Sequence, residues 1–429
     1  MSIFEIFWIK IVIITPNHDS FFSSYYTRIE IFMDKRELDF VDTFYVGKDL
    51  GLLKKLTLVI PTYNRNYYLS RCLWYHAHFP FGEIIVADSS PEEKKVVNRE
   101  TVTKIRSIFY ANIQYLEYEP ETDKYGGDIY QKWSDAVQHV ETEYSIICID
   151  KAFLDPSWLI SAEEVLESNQ NYVSVYGNTF MLRSRQNLMS QKKYFLSQFR
   201  GEDYSINRLT PSKRMSLAIS GDAKWKGNQL FSLTRANIHK KIHSLINEYA
   251  ISDIRYGELV LGYTGNIFGE THYLSGIDVI RDVCELGKTA PDKRLNNKES
   301  SDSRYPHFLE LASISDRFYT YFVHCLDCEL EKINQPHTSI TFEDIRGFDN
   351  REGSKGYSLM NRHPRLYQIW FNWIPYYVQN IILSIVRVVA PSFPKPNPSI
   401  SVRKSKEFML VAKIVSDNPE KMMRDEAVI

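Results

Sequence analysis

From Leu56 onward, the apolar and polar positions fall into two alternating patterns. Short apolar runs occupy Leu56–Ile60, Glu83–Ala87, Ile113–Tyr118 and Tyr144–Ile149. Runs of this length, bounded by turn-forming residues, are the signature of strands buried on both faces of a parallel sheet. Segments of helical periodicity lie between them, at Tyr67–Phe79, Glu92–Arg106 and about Asp128–Val140, the last after a Gly126-Gly127 turn. Strands alternating with helices every 25–30 residues or so predict βαβ units. The expected fold class is therefore α/β, with a mainly parallel, Rossmann-like sheet flanked by helices. After Asn178 the pattern loosens. Gly201–Gly227 is polar, carries Lys213, Arg214, Lys224 and Lys226, and reads as an active-site loop region. Helical patterns return at Phe231–Tyr249, Ser252–Leu261 and Phe308–Ile333, with a polar linker at Thr289–Arg304 and a proline-rich extended tail after Pro391.

The expected division is an N-terminal extension over 1–55, a catalytic domain over 56–290 and a helical C-terminal region over 291–429. The sequence from Met33 reads as an ordinary protein start, so 1–32 is expected to be dispensable. The first residues carry Glu5 and Lys10 within their apolar run and lack a basic start and a cleavage site, which argues against a signal peptide or a membrane span.

Composition narrows the classes. With 44% hydrophobic and 24% charged residues, the chain has an ordinary globular mix. A net charge of −1 shows no basic excess for a nucleic-acid partner. Five cysteines in 429 residues exclude a disulfide scaffold and fit a reducing, cytoplasmic compartment. Cys325 and Cys328 lie beside His324 in a helical pattern without a second ligand pair, and read as structural. Leu366–Val386 is a 21-residue stretch free of Asp, Glu, Lys and Arg. Gln368, Asn372, Gln379, Asn380 and Ser384 put a polar face on it, and Trp370, Trp373, Tyr376 and Tyr377 are interface-favoured types. A helix packed on the catalytic domain, an in-plane membrane helix and a span all stay open. The second would make the protein peripheral at the inner face of the plasma membrane.

Ligands of open α/β sheets bind beyond the carboxyl ends of the strands. Three strand ends therefore matter: Pro61-Thr62-Tyr63-Asn64-Arg65, Asp88-Ser89-Ser90 and Asp150-Lys151-Ala152-Phe153. A bound base needs an acceptor at one edge and an apolar or aromatic face, and Asp88 and Tyr63 are of those types. Asp88 is equally suited to cap the next helix.

LTLVIPTYNR, EIIVADSS and YSIICIDKAF together resemble the nucleotide-sugar-binding half of bacterial family 2 glycosyltransferases with the GT-A fold, the branch whose third motif reads Asp-Asp-Asp-Phe. The resemblance covers about 55–290. It implies that Pro61, Thr62 and Tyr63 line the base and ribose, and that Arg65 sits near the diphosphate or begins the first helix. It implies that Asp88 accepts the base N–H of a UDP-linked sugar. Asp150 would hold the ribose and a divalent cation, Mg or Mn. The third motif departs from the family pattern, since Lys151 and Ala152 stand where carboxylates are usual. A single carboxylate would bind the cation weakly, and Lys151 adds a positive charge beside the expected diphosphate. The general base would be Glu258 or Asp253, with Glu258 matching the family's Glu-Leu pattern better, and Arg281 would lie near the diphosphate. The implied activity is inverting transfer of a sugar from a nucleotide donor to a glycan or lipid-linked acceptor, in surface polysaccharide synthesis. The alternative is a degenerate member of the same fold that binds nucleotide or glycan without transfer.

Overall fold

The computed structural model describes residues 50–120, 129–186, 192–198, 205–207, 210–219, 228–251, 254–282, 323–337 and 411. The expected N-terminal extension up to residue 49, Asp253, the linker and the 366–386 segment lie outside these residues.

A turn of 3-10 helix, Leu50–Lys55, leads into β1 (Leu56–Thr62). Then follow α1 (Asn66–Ala77), β2 (Glu83–Asp88), α2 (Glu92–Phe109), β3 (Ile113–Glu117), α3 (Ile129–Gln138) and β4 (Tyr144–Ile147). Each expected strand and helix of this half is present. β1 runs through Pro61, which the sequence pattern placed just after the strand. Pro61 lies beyond the part of β1 that pairs with β4, so its missing N–H leaves no gap in that ladder.

The second half holds β5 (Ala152–Leu154), α4 (Pro156–Ser168), β6 (Tyr172–Gln186), β7 (Lys192–Gln198), α5 (Pro211–Ile219) and β8 (Leu233–Arg235). It closes with α6 (Ala236–Glu248), α7 (Ile254–Tyr263), the single turn α8 (Gly265–Phe268) and β9 (Glu270–Asp282). Three differences from the sequence expectation stand out. Ala152–Leu154 is a strand rather than a loop, because it pairs antiparallel with β9. The loosened region after Asn178 contains the long strands β6 and β9, which pair with each other. The polar stretch expected to be a loop carries α5, whose Arg214 is buried and donates to the carbonyls of Asn266 and Ile267.

The strands form one mixed sheet in the order β3-β2-β1-β4-β8-β6-β9-β5, with β7 beside β6. It is parallel through β3, β2, β1 and β4, and mixed beyond. The α/β class is as expected. Side chains alternate across it. Leu58, Ile60, Ile84, Val86 and Ile146 face the core under α1, α2 and α4, whereas Val59, Ile85, Ala87 and Ile147 face the core under α3, α6 and α7. Burial on both faces explains why β1 reads as unbroken hydrophobicity.

Successive strands run outward from β1 to β2 and β3. The chain then returns to place β4 on the other side of β1. Strand order thus reverses between β1 and β4, and crevices at such switch points are where α/β sheets bind ligands. No helix among the described residues is long and apolar enough to cross a membrane.

Candidate active site

Thr62 ends β1 and Asp150 follows β4, so both stand at the carboxyl edge of the switch point. Thr62 Oγ1 donates to Asp150 Oδ2 across 2.9 Å. Arg65, at the N-cap position of α1, donates from Nη1 to Asp150 Oδ1 across 3.2 Å. Asp150 is buried, and Arg65 is 37% exposed. A guanidinium therefore covers a buried carboxylate and keeps part of its surface open to the crevice. Of the two placements expected for Arg65, the structure shows the helix start.

The turn between β1 and α1 is built for this. Asn64 adopts the left-handed region with φ 54°. Asparagine tolerates this conformation better than most residues. Its N–H donates to Ser90 Oγ at 2.8 Å, tying the first motif to the second. Buried Lys132 of α3 reaches into the same junction, donating to the Thr62 carbonyl at 3.0 Å and to Ser89 Oγ at 2.7 Å. Lys132 was missed by sequence reasoning. It sits among Tyr130, Trp133 and Val137 on the buried side of its helix, and nothing in the local pattern distinguishes it from a solvated lysine.

Asp88 is fully buried at the end of β2, and its carboxylate is turned inward. It accepts from Ser90 N at 2.8 Å, Asn98 Nδ2 at 2.7 Å and Tyr115 OH at 2.5 Å. Burial and the Asp88 carboxylate together push the Tyr115 phenol far above its ordinary range. In this arrangement both Asp88 oxygens are engaged by the protein itself. The carboxylate holds the β2–α2 turn and β3 together rather than facing the crevice.

Lys151 places Nζ 4.2 Å from the centre of the Tyr68 ring. Arg71 lies over Tyr67 and Tyr68, at 4.4 and 5.1 Å, and pairs at 2.5 Å with Asp282. The Asp282 N–H in turn donates to the Lys151 carbonyl. The altered motif is therefore braced from both sides, by a cation–π contact and by the end of β9. Arg281 is registered opposite Ala152, and its guanidinium lies 5.5 Å from the Phe231 ring centre. A small cleft beside β5 is lined by Ile149, Ala152, Thr179, Phe231, Val279 and Arg281.

Asp155, five residues beyond Asp150, caps α4 by accepting from Ser157 N at 2.9 Å, with Pro156 in the first turn. Asp278 accepts from Gly177 N and Thr179 Oγ1. Among the described residues, the carboxylates near the third motif are thus engaged by protein donors. Asp150 is already neutralised by Arg65, and Ala152 offers no side-chain ligand. With Asp150 paired to Arg65 and no carboxylate at 152, these residues do not fit a divalent cation held tightly by the protein alone, since such an ion would lean on waters and substrate phosphates for most of its ligands.

Glu258 lies on α7. Gly257 beside it permits a close helix approach, since a Cβ there would meet Tyr130 Cδ2 of α3 at 2.4 Å. Cys325 is buried and Cys328 partly exposed on the 323–332 helix.

No family model matches the chain, and no curated protein matches it. Solved structures with some likeness include TarS from S. aureus, at 12% identity and TM-score 0.38, covering 87% of this chain and 55% of TarS. The chain thus spans about half of that protein. TarS 1-349 in complex with UDP-GlcNAc aligns at 14% identity with TM-score 0.38, covering 87% of this chain and 90% of the fragment. Glucosyl-3-phosphoglycerate synthase from Mycobacterium tuberculosis aligns at 9% identity with TM-score 0.30, covering 55% of this chain and 76% of the synthase. So does 4-diphosphocytidyl-2C-methyl-D-erythritol synthase from Anaerococcus prevotii, at 9% and 0.30, covering 52% and 88%. Likeness at this level assigns no activity.

Proposed function

We propose that the chain is a nucleotide-sugar glycosyltransferase of GT-A type that binds its donor at the β1/β4 switch point. The observation that carries this reading is the joining of Asp150 to Thr62 and Arg65, which brings the first and third motifs together where strand order reverses. Pro61, Thr62 and Tyr63 line the base and ribose. Arg65 supplies positive charge to the diphosphate, with Lys151 and Arg281 as further cations. Asp88 holds the β2–α2 turn and β3 together from inside the protein and makes no contact with the base.

In this reading the acceptor hydroxyl of a glycan or lipid-linked sugar loses its proton to Glu258, or to Asp253, and attacks the anomeric carbon. The bond to the nucleotide diphosphate breaks, and the configuration inverts. Charge on the leaving diphosphate is offset by Arg65 and Lys151, as ammonium and guanidinium groups can do without a metal. The reaction would serve surface polysaccharide synthesis at the cytoplasmic side of a membrane. A second reading is supported by Ala152 and by the neutralised Asp150: a binding protein of the same fold that holds the donor without transferring it.

A thermal-shift series with uridine, guanosine and cytidine diphosphates and their sugar conjugates tests the donor site. A ligand at 100 times its dissociation constant adds about 2.7 kcal/mol of stability. Uridine nucleotides are expected to raise Tm and guanosine nucleotides to leave it unchanged. No response to any nucleotide would overturn the assignment.

A further inference from the structure

Beneath the altered motif, on the face of the sheet opposite Lys132, three soft donors converge. Cys72 and His76 lie one turn apart on α1, four residues in sequence, and so share a face. Cys148 follows β4. All three are buried, and one ligand atom from each lies within 4.8 Å of the others. The Ala152 carbonyl oxygen closes the group, at 3.5 Å from Cys72 Sγ and 3.5 Å from Cys148 Sγ. Cys148 Sγ is 3.9 Å from His76 Nε2.

From these contacts we infer a buried metal site for a zinc-class cation, with Cys72 Sγ, Cys148 Sγ, His76 Nε2 and the Ala152 carbonyl oxygen as ligands. Zinc–sulfur bonds of about 2.3 Å and zinc–nitrogen or zinc–oxygen bonds of about 2.1 Å put tetrahedral donor edges at roughly 3.4–3.8 Å. The two sulfur–oxygen separations of 3.5 Å fit those edges, and the Cys148 sulfur–Nε2 separation of 3.9 Å is slightly longer than its edge. His76 is oriented as metal-ligating histidines are. Its Nδ1 lies 2.8 Å from the Cys72 carbonyl, a backbone partner that leaves Nε2 as the ligating nitrogen. Leu154 N donates to Nε2 at 3.2 Å and would yield that contact to the ion. Cys72 Sγ lies 3.5 Å from Nδ1, so the sulfur and the ring are already packed together. Tyr75 and Phe81 flank the imidazole, and the enclosure suits a closed structural site.

Coordination deprotonates thiols outright, and the two S–H protons leave to solvent as the ion enters. An ion there would brace α1, β4 and the Ala152 backbone as one unit. The side-chain ligands of the site are none of the residues assigned to the donor, and its test does not depend on the proposed activity.

The test uses the full chain, produced under reducing conditions with zinc supplied during growth, and a second batch refolded with cobalt. Elemental analysis and native mass spectrometry count the metal. Visible absorption of the cobalt form reports tetrahedral coordination and thiolate charge transfer. The expected result is one zinc per chain and a two-thiolate cobalt spectrum. Cys148→Ser should weaken metal retention by at least about tenfold, while Cys328→Ser leaves it unchanged. A chain that carries neither zinc nor cobalt, full retention in Cys148→Ser, or a freshly isolated chain two protons lighter through a Cys72–Cys148 disulfide would each overturn the site. The cobalt spectrum of the unmutated chain decides the matter even where a variant fails to fold.

Discussion

Arg65 and Asp150 meet at 3.2 Å across the gap between the first and third motifs, with the carboxylate buried and the guanidinium 37% exposed. The pair orients the arginine toward the crevice and fixes the end of β4 at the same time. A charge-assisted contact to a diphosphate contributes about 1.5–3 kcal/mol. Arg65→Ala should therefore weaken uridine diphosphate binding by roughly ten- to a hundredfold, as read by titration calorimetry. Unchanged affinity would remove Arg65 from the donor site.

Lys151 rests on Tyr68 at 4.2 Å from the ring centre, a placement that keeps its charge beside the crevice edge. Ala152→Asp supplies the missing carboxylate at the altered motif. Transfer assayed with and without manganese should show little stimulation in the parent, strong stimulation in Ala152→Asp and a loss of metal-free rate in Lys151→Ala. A parent that is inactive without manganese would show that Asp150 and the phosphates hold an ion unaided.

Asp88 joins the Ser90 N–H, Asn98 and Tyr115 inside the protein. Asp88→Ala leaves those donors buried without their acceptor. Each unsatisfied group costs about 1–3 kcal/mol, so a clear drop in the denaturation midpoint is expected. Nucleotide affinity, measured well below that midpoint, should change little. Lost affinity with intact stability would return the carboxylate to the base.

Two buried groups give pH dependences of opposite sign. Burial raises Glu163, which pairs with Lys55 at 3.4 Å, from 4.5 to about 7. The folded chain then binds this proton more tightly than the unfolded one, and stability falls as pH rises from 4.5 through 7. Burial lowers His239 from 6.5 to about 4, beside His243, which is also depressed. Here the unfolded chain binds the proton more tightly, so stability falls as pH drops from 6.5 through 4. Each shift corresponds to a few kcal/mol, on the order of 3. Glu163→Gln should flatten the alkaline side of the stability profile, and His239→Gln the acid side. Parallel profiles for parent and variants would contradict the assignments.

The parallel half of the fold was legible because its strands are buried on both faces, and uninterrupted runs such as Leu56–Ile60 have no other economical explanation. The later strands were not. β6 runs Tyr172–Gln186 through Gly177, Asn178 and Thr179, and is fixed by pairing with β9 about 100 residues away. Long-range pairing of that kind leaves no local period. At the site, the sequence placed Thr62, Arg65 and Asp150 at strand ends, and the structure joins them by hydrogen bonds. Lys132 and the inward turn of Asp88 were hidden because each depends on what α3, Asn98 and Tyr115 bring from elsewhere.

The central claim is that Asp150, held by Thr62 and Arg65, forms the donor site of a glycosyltransferase. Release of uridine diphosphate from a panel of uridine-diphosphate sugars, by the full chain and by Asp150→Asn, measures it most directly. The account predicts release by the parent from at least one sugar conjugate, and a fall of about a hundredfold or more in the variant, as loss of a transition-state electrostatic contact gives. Equal release by parent and variant, or none from any conjugate with or without manganese, would contradict it.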